Sequence, residues 1–260
     1  MAKQAVPKAP NGAPKPSGAL ELVESVKLNL QGYTLIEGFP GMGLVGTIGA
    51  KYVVEKLNFK EVGYVSPRAF APIIRIHEGL PMYPARLYVN ERLKTAVLFA
   101  EQMIPKNETH AVAELVSHWI VEKKIKRVVS LSGISTETMG DTTIYGIAAN
   151  ERSRKWLKES GVQVIQEGFT TGMTALIMLA LKNQDIEAVS LMGNVHIGAD
   201  YKASADIVKK LSEMLGLKLD VAPLMEEGKA IEEQFRKQLD QHREAQDTVN
   251  QIEDQPPMYA

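Results

Sequence analysis

Gly38-Phe39-Pro40-Gly41-Met42-Gly43-Leu44-Val45-Gly46 is the stretch on which the reading of this chain turns. Gly41-x-Gly43-x-x-Gly46 satisfies the pattern of a dinucleotide-binding turn. It follows an apolar segment, Tyr33 to Ile36, and opens a helix-compatible one, Thr47 to Leu57. A strand, a tight turn and a helix are the context that such a pattern requires. Glycines suit the turn on steric grounds alone, because it demands backbone freedom and a close approach of helix to strand. The second half of the pattern is missing. A dinucleotide site needs an acidic residue at the end of the next strand, roughly 20 residues on, for the ribose hydroxyls. The next strand candidate, Glu61-Val62-Gly63-Tyr64-Val65-Ser66, carries its only acid at its start and ends in Ser66-Pro67-Arg68. Pro40 and Met42 also crowd a loop that should offer bare amides to a pyrophosphate. The turn is therefore expected to join strand to helix and to hold no cofactor.

Working outward, apolar β-prone segments recur at Thr34–Glu37, Glu61–Val65, Ala96–Ala100, Arg127–Leu131, Gln163–Ile165 and Ala188–Met192. Helix-compatible segments alternate with them at Thr47–Leu57, Thr109–Lys124, Ile147–Glu159, Thr174–Leu181 and Ala203–Leu215. This alternation predicts a layered α/β fold with a mostly parallel sheet flanked by helices. Arg86–Val89 and Ala96–Phe99, separated by Asn90-Glu91-Arg92, read as a hairpin set into it, and Glu21–Tyr33 as an edge strand with its turn.

The same glycine-rich run, Glu37 to Gly46, resembles the signature near the start of the archaeal proteasome-assembling chaperone family, whose members resemble proteasome assembly chaperone 2. The resemblance extends from about Leu35 to about Pro223. It includes Ser66-Pro67 after the second strand, Leu131-Ser132-Gly133 after a central strand, and Gly168-Phe169-Thr170-Thr171-Gly172 before a helix. It implies a fold similar to the purine nucleoside phosphorylases, no enzymatic activity, no cofactor, and proteasome α subunits or the 20S particle as partners. Met258-Tyr259-Ala260, a hydrophobic residue, a tyrosine and a final residue, resembles the tail with which proteasome activators and some assembly factors enter pockets between α-ring subunits. The resemblance implies that these three residues are the partner-binding site, with the Ala260 carboxylate pairing with a lysine of the pocket. It also implies a homo-oligomer whose core assembles and whose tails project.

Composition bounds the rest. The chain has 260 residues, 45% of them hydrophobic, enough for a substantial core and too many for a disordered chain. Lys+Arg 30 against Asp+Glu 31 leaves a net charge of -1, so no overall field draws the protein to nucleic acid or an anionic membrane. Absence of cysteine excludes disulfides and thiolate chemistry and fits a cytoplasmic protein. The first residues contain no apolar signal core, and the longest apolar run, Met173 to Leu181, is far short of the roughly 20 residues of a span.

Three regions follow: an Ala/Pro/Lys-rich arm at 1–18, expected to be disordered; an α/β core at 19–225; and a charged helical or extended tail at 226–260. In the tail Ile231, Phe235 and Leu239 recur at i, i+4, i+8 as a narrow apolar stripe, and Gln255-Pro256-Pro257 ends any helix.

His110, Glu114 and His118 share helical spacing that could hold a metal. A solvated helix face accounts for them more simply, so no metal is expected. His77 and His196, each beside a glycine, read as loop residues. Glu37, Glu101, Arg68, Ser132, Glu137 and Asp141 fall at strand ends, where α/β folds place active sites. They motivate the alternative function, a nucleoside- or nucleotide-binding enzyme or sensor; a surface loop or subunit contact is the preferred reading of the Thr136–Thr143 loop.

Overall fold

The computed structural model describes residues 20–136, 142–195 and 198–228. The strands are β1 (Leu22–Glu24), β2 (Thr34–Gly38), β3 (Lys60–Val65), β4 (Arg75–His77), β5 (Leu80–Met82), β6 (Ala85–Asn90), β7 (Thr95–Ala100), β8 (Arg127–Ile134), β9 (Tyr145–Ala148), β10 (Gln163–Val164) and β11 (Glu187–Asn194). The helices are α1 (Val45–Lys56), α2 (Thr109–Glu122), α3 (Glu151–Glu159), α4 (Gly172–Leu181) and α5 (Tyr201–Leu215). Nine strands form one sheet in the order β1-β3-β6-β7-β2-β8-β11-β9-β10, and β4 and β5 form a separate hairpin.

The centre of the sheet, β7-β2-β8-β11, is parallel. Antiparallel pairings extend it on both sides: β7 with β6, β6 with β3, and β3 with β1 on one flank, and β11 with β9 on the other. The large α/β sheet flanked by helices is the expected architecture, with the β6–β7 hairpin set in as its sequence suggested.

Side chains of the central strands alternate between two buried layers, which is why these strands read as largely apolar and not as alternating apolar and polar residues. Leu35, Leu98, Val128 and Ala188 pack in one layer with Val112, Val116 and Ile120 of α2 and Ile177 and Leu181 of α4. Ile36, Val97, Phe99, Val129 and Leu191 pack in the other with Val53 of α1, Leu157 of α3 and Ile207 and Leu211 of α5.

Two local features depart from expectation. The segment starting at Ile147 begins as strand, because Tyr145–Ala148 adds to the sheet beside β11 before α3 starts. Asn150 sets that boundary: its side chain accepts from the Ser153 backbone N–H at 3.0 Å and donates to Ile186 O at 2.9 Å. The second departure is the β4–β5 hairpin. Glu78 and Gly79, with φ of 49° and 78°, form a two-residue turn with both residues left-handed, the geometry that matches strand twist.

At the edge, β1 is pinned by Glu24, which accepts from Trp119 Nε1 at 2.8 Å and pairs with Lys123 at 2.7 Å. At the other end of the chain, residues 222–228 are helical and stay on the core, with Leu224 in the second buried layer. Ile231, Phe235 and Leu239 lie outside the described residues, as do the arm at 1–18 and Met258–Ala260.

Candidate functional site

The parallel strands all end on one rim of the sheet, and the glycine-rich turn lies there. After β2 the chain makes a short 3-10 turn, Met42–Leu44, and enters α1. Gly43 has φ of 65°, and a Cβ on it would stand 2.7 Å from both methyls of Val195. Gly46 faces β8 so closely that a Cβ would lie 2.3 Å from Leu131 O. The turn is thus seated, at Gly43 and Gly46, against the protein's own β8 and the segment after β11, while Gly41 faces open space. Asp200 N donates to Gly43 O at 2.8 Å and locks the contact.

Of the strand-end residues singled out above, the structure brings few together. Glu101, one residue past β7, accepts from Arg75 of β4 and Arg86 of β6, and Lys51 of α1 stands 3.4 Å away. Arg86 is only 5% exposed, and its guanidinium lies 5.3 Å from the centre of the Phe99 ring. This cluster, with Gln102 donating to Ile73 O, fastens the β4–β5 hairpin to the sheet. Arg68 is exposed on the turn after β3. Ser132 pairs with Ser190 of β11 through their hydroxyls at 3.1 Å. Glu137, Asp141 and His196 lie outside the described residues. His77 sits exposed on β4, and His110, Glu114 and His118 line the exposed face of α2. Among the described residues no three histidine or carboxylate side chains gather in a group that could hold a metal.

Glu37 sits within the layer under α2 and α4, on the same side of β2 as Leu35. It is 0% exposed, and neither carboxylate oxygen has a hydrogen-bond partner. Burial pushes its pKa up to about 7, and the Ser130 hydroxyl, its register partner on β8, offsets part of the rise. The Ser130 hydroxyl is itself buried without a hydrogen-bond partner.

What distinguishes the rim is apolar exposure. Met42 and Leu44 follow β2, Met103 follows β7, and Phe169 precedes α4; all four are exposed. Between β3 and β6 the hairpin segment exposes Ile73, Ile74, Ile76, Leu80 and Tyr83, with Ile76 66% exposed. The remaining large exposed hydrophobics among the described residues, Val26, Val121 and Leu179, lie on segments running to the opposite end. A groove of about 540 Å³ opens on the rim between the first turns of α2 and α4, walled by Phe39, Met103, Ile104, Met173 and Leu176. Phe169 stands fully exposed two residues before Thr171, which lines that groove.

Sequence reasoning missed this surface. The only signal was Arg75-Ile76-His77 and Leu80-Pro81-Met82 around Glu78-Gly79, a hairpin whose apolar residues Ile76 and Leu80 are left exposed by the described residues. The arrangement offers apolar contact and buried charge pairing. Among the described residues the rim brings no nucleophile and base within hydrogen-bond reach of each other.

The fold has counterparts among known proteins. PbaA of Pyrococcus furiosus, described as an archaeal homolog of proteasome-assembly chaperone, superposes with a TM-score of 0.78 at 29% identity, over 90% of this chain and 97% of that one. Pyrococcus furiosus PbaB, described as an archaeal proteasome activator, shares the fold with a TM-score of 0.73 at 21% identity, over 84% of this chain and 98% of that one. An uncharacterised protein of Methanocaldococcus jannaschii is 28% identical over 225 residues, 86% of this chain and 92% of its own length. The model of the PAC2 family matches residues 35–239, and the chain belongs to that family.

Proposed function

We propose that this protein is a non-catalytic, ATP-independent proteasome assembly chaperone or activator-like factor. In this reading it binds proteasome α subunits through Met258, Tyr259 and Ala260, and its core forms a homo-oligomer. The observation that carries the reading is the similarity to PbaA at 29% identity over 90% of the chain. The glycine-rich turn adds support, because Gly43 and Gly46 pack it against Val195 and Leu131 of the protein's own core. We further propose that the core keeps a purine nucleoside phosphorylase-like layout without its activity, and that residues 226–257 are a spacer between core and tail.

Magnitudes favour several tails acting together. Burying a tyrosine and a methionine removes about 250 Å² of mainly apolar surface, worth about 6 kcal/mol before costs. Ordering a tail and losing translational freedom removes several kcal/mol of that. A single tail then binds with a dissociation constant on the order of 0.1–1 mM, and linking several in one oligomer strengthens binding by about 10²–10⁴. The test is capture of 20S particles or α-subunit rings by the full chain and by a chain lacking residues 258–260. Capture by the full chain and its loss on truncation supports the reading; equal capture by both assigns the contact to the core.

A further inference from the structure

We propose that copies of this chain associate through the C-terminal rim of the sheet, with Phe169 of one copy seated in the groove between α2 and α4 of another. This deepens the self-assembly part of the reading above and rests on that part alone. Three observations point to it.

The first is concentration. Exposed hydrophobic side chains are common on any surface, but scattered ones carry no message. Here the large ones gather on the segments following β2, β3 and β7 and preceding α4, and three others are left for the rest of the described surface. The second is area. At roughly 200 Å² for a fully exposed large side chain, the rim presents about 1,000 Å² of apolar side-chain surface. Summed over the rim, that is comparable to the ~800 Å² that each partner contributes to a stable interface.

The third is shape. The rim carries both halves of a contact: a phenyl ring projecting wholly into solvent and, beginning two residues later, an apolar groove of about 540 Å³. Phe169 stands in solvent and not in its own groove, which the described residues leave open to another copy's ring. Aromatic anchors in pockets are what interfaces concentrate their energy in. Around this centre, Glu101 holds the hairpin and its isoleucines in place, so the surface is preformed. Lys51 and Arg75, both partly exposed, stay hydrated at its margin.

The experiment measures mass in solution by light scattering and sedimentation at micromolar concentration for the full chain, Phe169→Ala, Ile76→Asp and Leu179→Asp. Leu179 is an apolar residue at the other end, as exposed as Ile76, and serves as the control. The full chain is expected to exceed its 28.6 kDa monomer mass. Phe169→Ala and Ile76→Asp should shift it toward that mass, with dissociation constants weakened by at least about tenfold, and Leu179→Asp should not. Phe169→Ala decides the matter, because a fully exposed side chain can be shortened without loss of folding. A monomeric wild type, or a Phe169→Ala protein that keeps the wild-type mass, overturns the proposal.

Capture of 20S particles separates this from the functional reading. Oligomers that dissociate in Phe169→Ala but never capture proteasomes would leave the rim assignment standing and remove the proteasome role. A Phe169→Ala oligomer of unchanged mass that loses 20S capture would do the reverse.

Discussion

Glu37→Gln tests whether the buried carboxyl titrates as its surroundings dictate. Glu37 is 0% exposed, with both oxygens unpartnered, and its pKa rises from 4.5 to about 7. For an acid with a raised native pKa, the folded chain holds its proton more tightly than the unfolded one. Below pH 4.5 both states are protonated and the group is neutral in its effect. Between 4.5 and 7 the unfolded chain ionises while the folded chain does not, so stability falls as pH rises. Above 7 both are ionised and the loss is complete. The pKa difference corresponds to about 3 kcal/mol at 1.36 kcal/mol per unit. Glutamine keeps the shape and removes the titration. The stability difference, Glu37→Gln minus wild type, should therefore grow in the variant's favour by about 3 kcal/mol between pH 4.5 and 8, or about 6–12 °C in Tm for a chain of this size. Other carboxylates contribute equally to both proteins and cancel, as does any pH-independent offset from burying the amide. The assay is denaturant unfolding across that range, with the carboxyl shift of Glu37 followed by NMR. A difference that stays flat with pH would refute the reasoning and show that the carboxylate is hydrated or paired in solution.

Three further outcomes follow from the packing and from the proposed function. Gly43→Ala should lower stability by about 1–3 kcal/mol through its left-handed backbone and the contact with Val195, with no NAD(P) or FAD binding to lose; measurable dinucleotide affinity in the wild type, abolished by the change, would show a cofactor site instead. Glu24→Ala should free β1 from α2, raising hydrogen exchange at Leu22–Glu24 and costing about 1–2 kcal/mol; unchanged exchange would mean that backbone pairing with β3 suffices to hold the strand. Tyr259→Ala, or one residue added after Ala260, should weaken 20S binding by at least about tenfold at unchanged oligomer size; equal affinity would make the core surface the docking site.

The layered α/β plan was legible in the sequence because it is written in local periodicity. Thr34–Gly38, Arg127–Ile134 and Glu187–Asn194 are buried on both faces along most of their length and read as mainly apolar segments; Thr109–Glu122 and Tyr201–Leu215 carry helical spacing, and α5 is bracketed by Asp200 and Gly216. The glycine-rich turn joining β2 to α1 was legible too. Tertiary context decided what short-range pattern leaves open. Residues 145–148 look as much like the start of a helix as like a strand, and only the free edge of β11 draws them into the sheet. The order of the strands, the burial of Glu37 against Ser130, and the meeting of Lys51, Arg75 and Arg86 at Glu101 depend on residues far apart in the chain. The apolar rim is the clearest case. Ile73, Met103 and Phe169 look like ordinary core residues in the sequence, because hydrophobicity shows that a side chain favours burial. Whether its own fold supplies the partner depends on which strand ends the topology gathers at one edge.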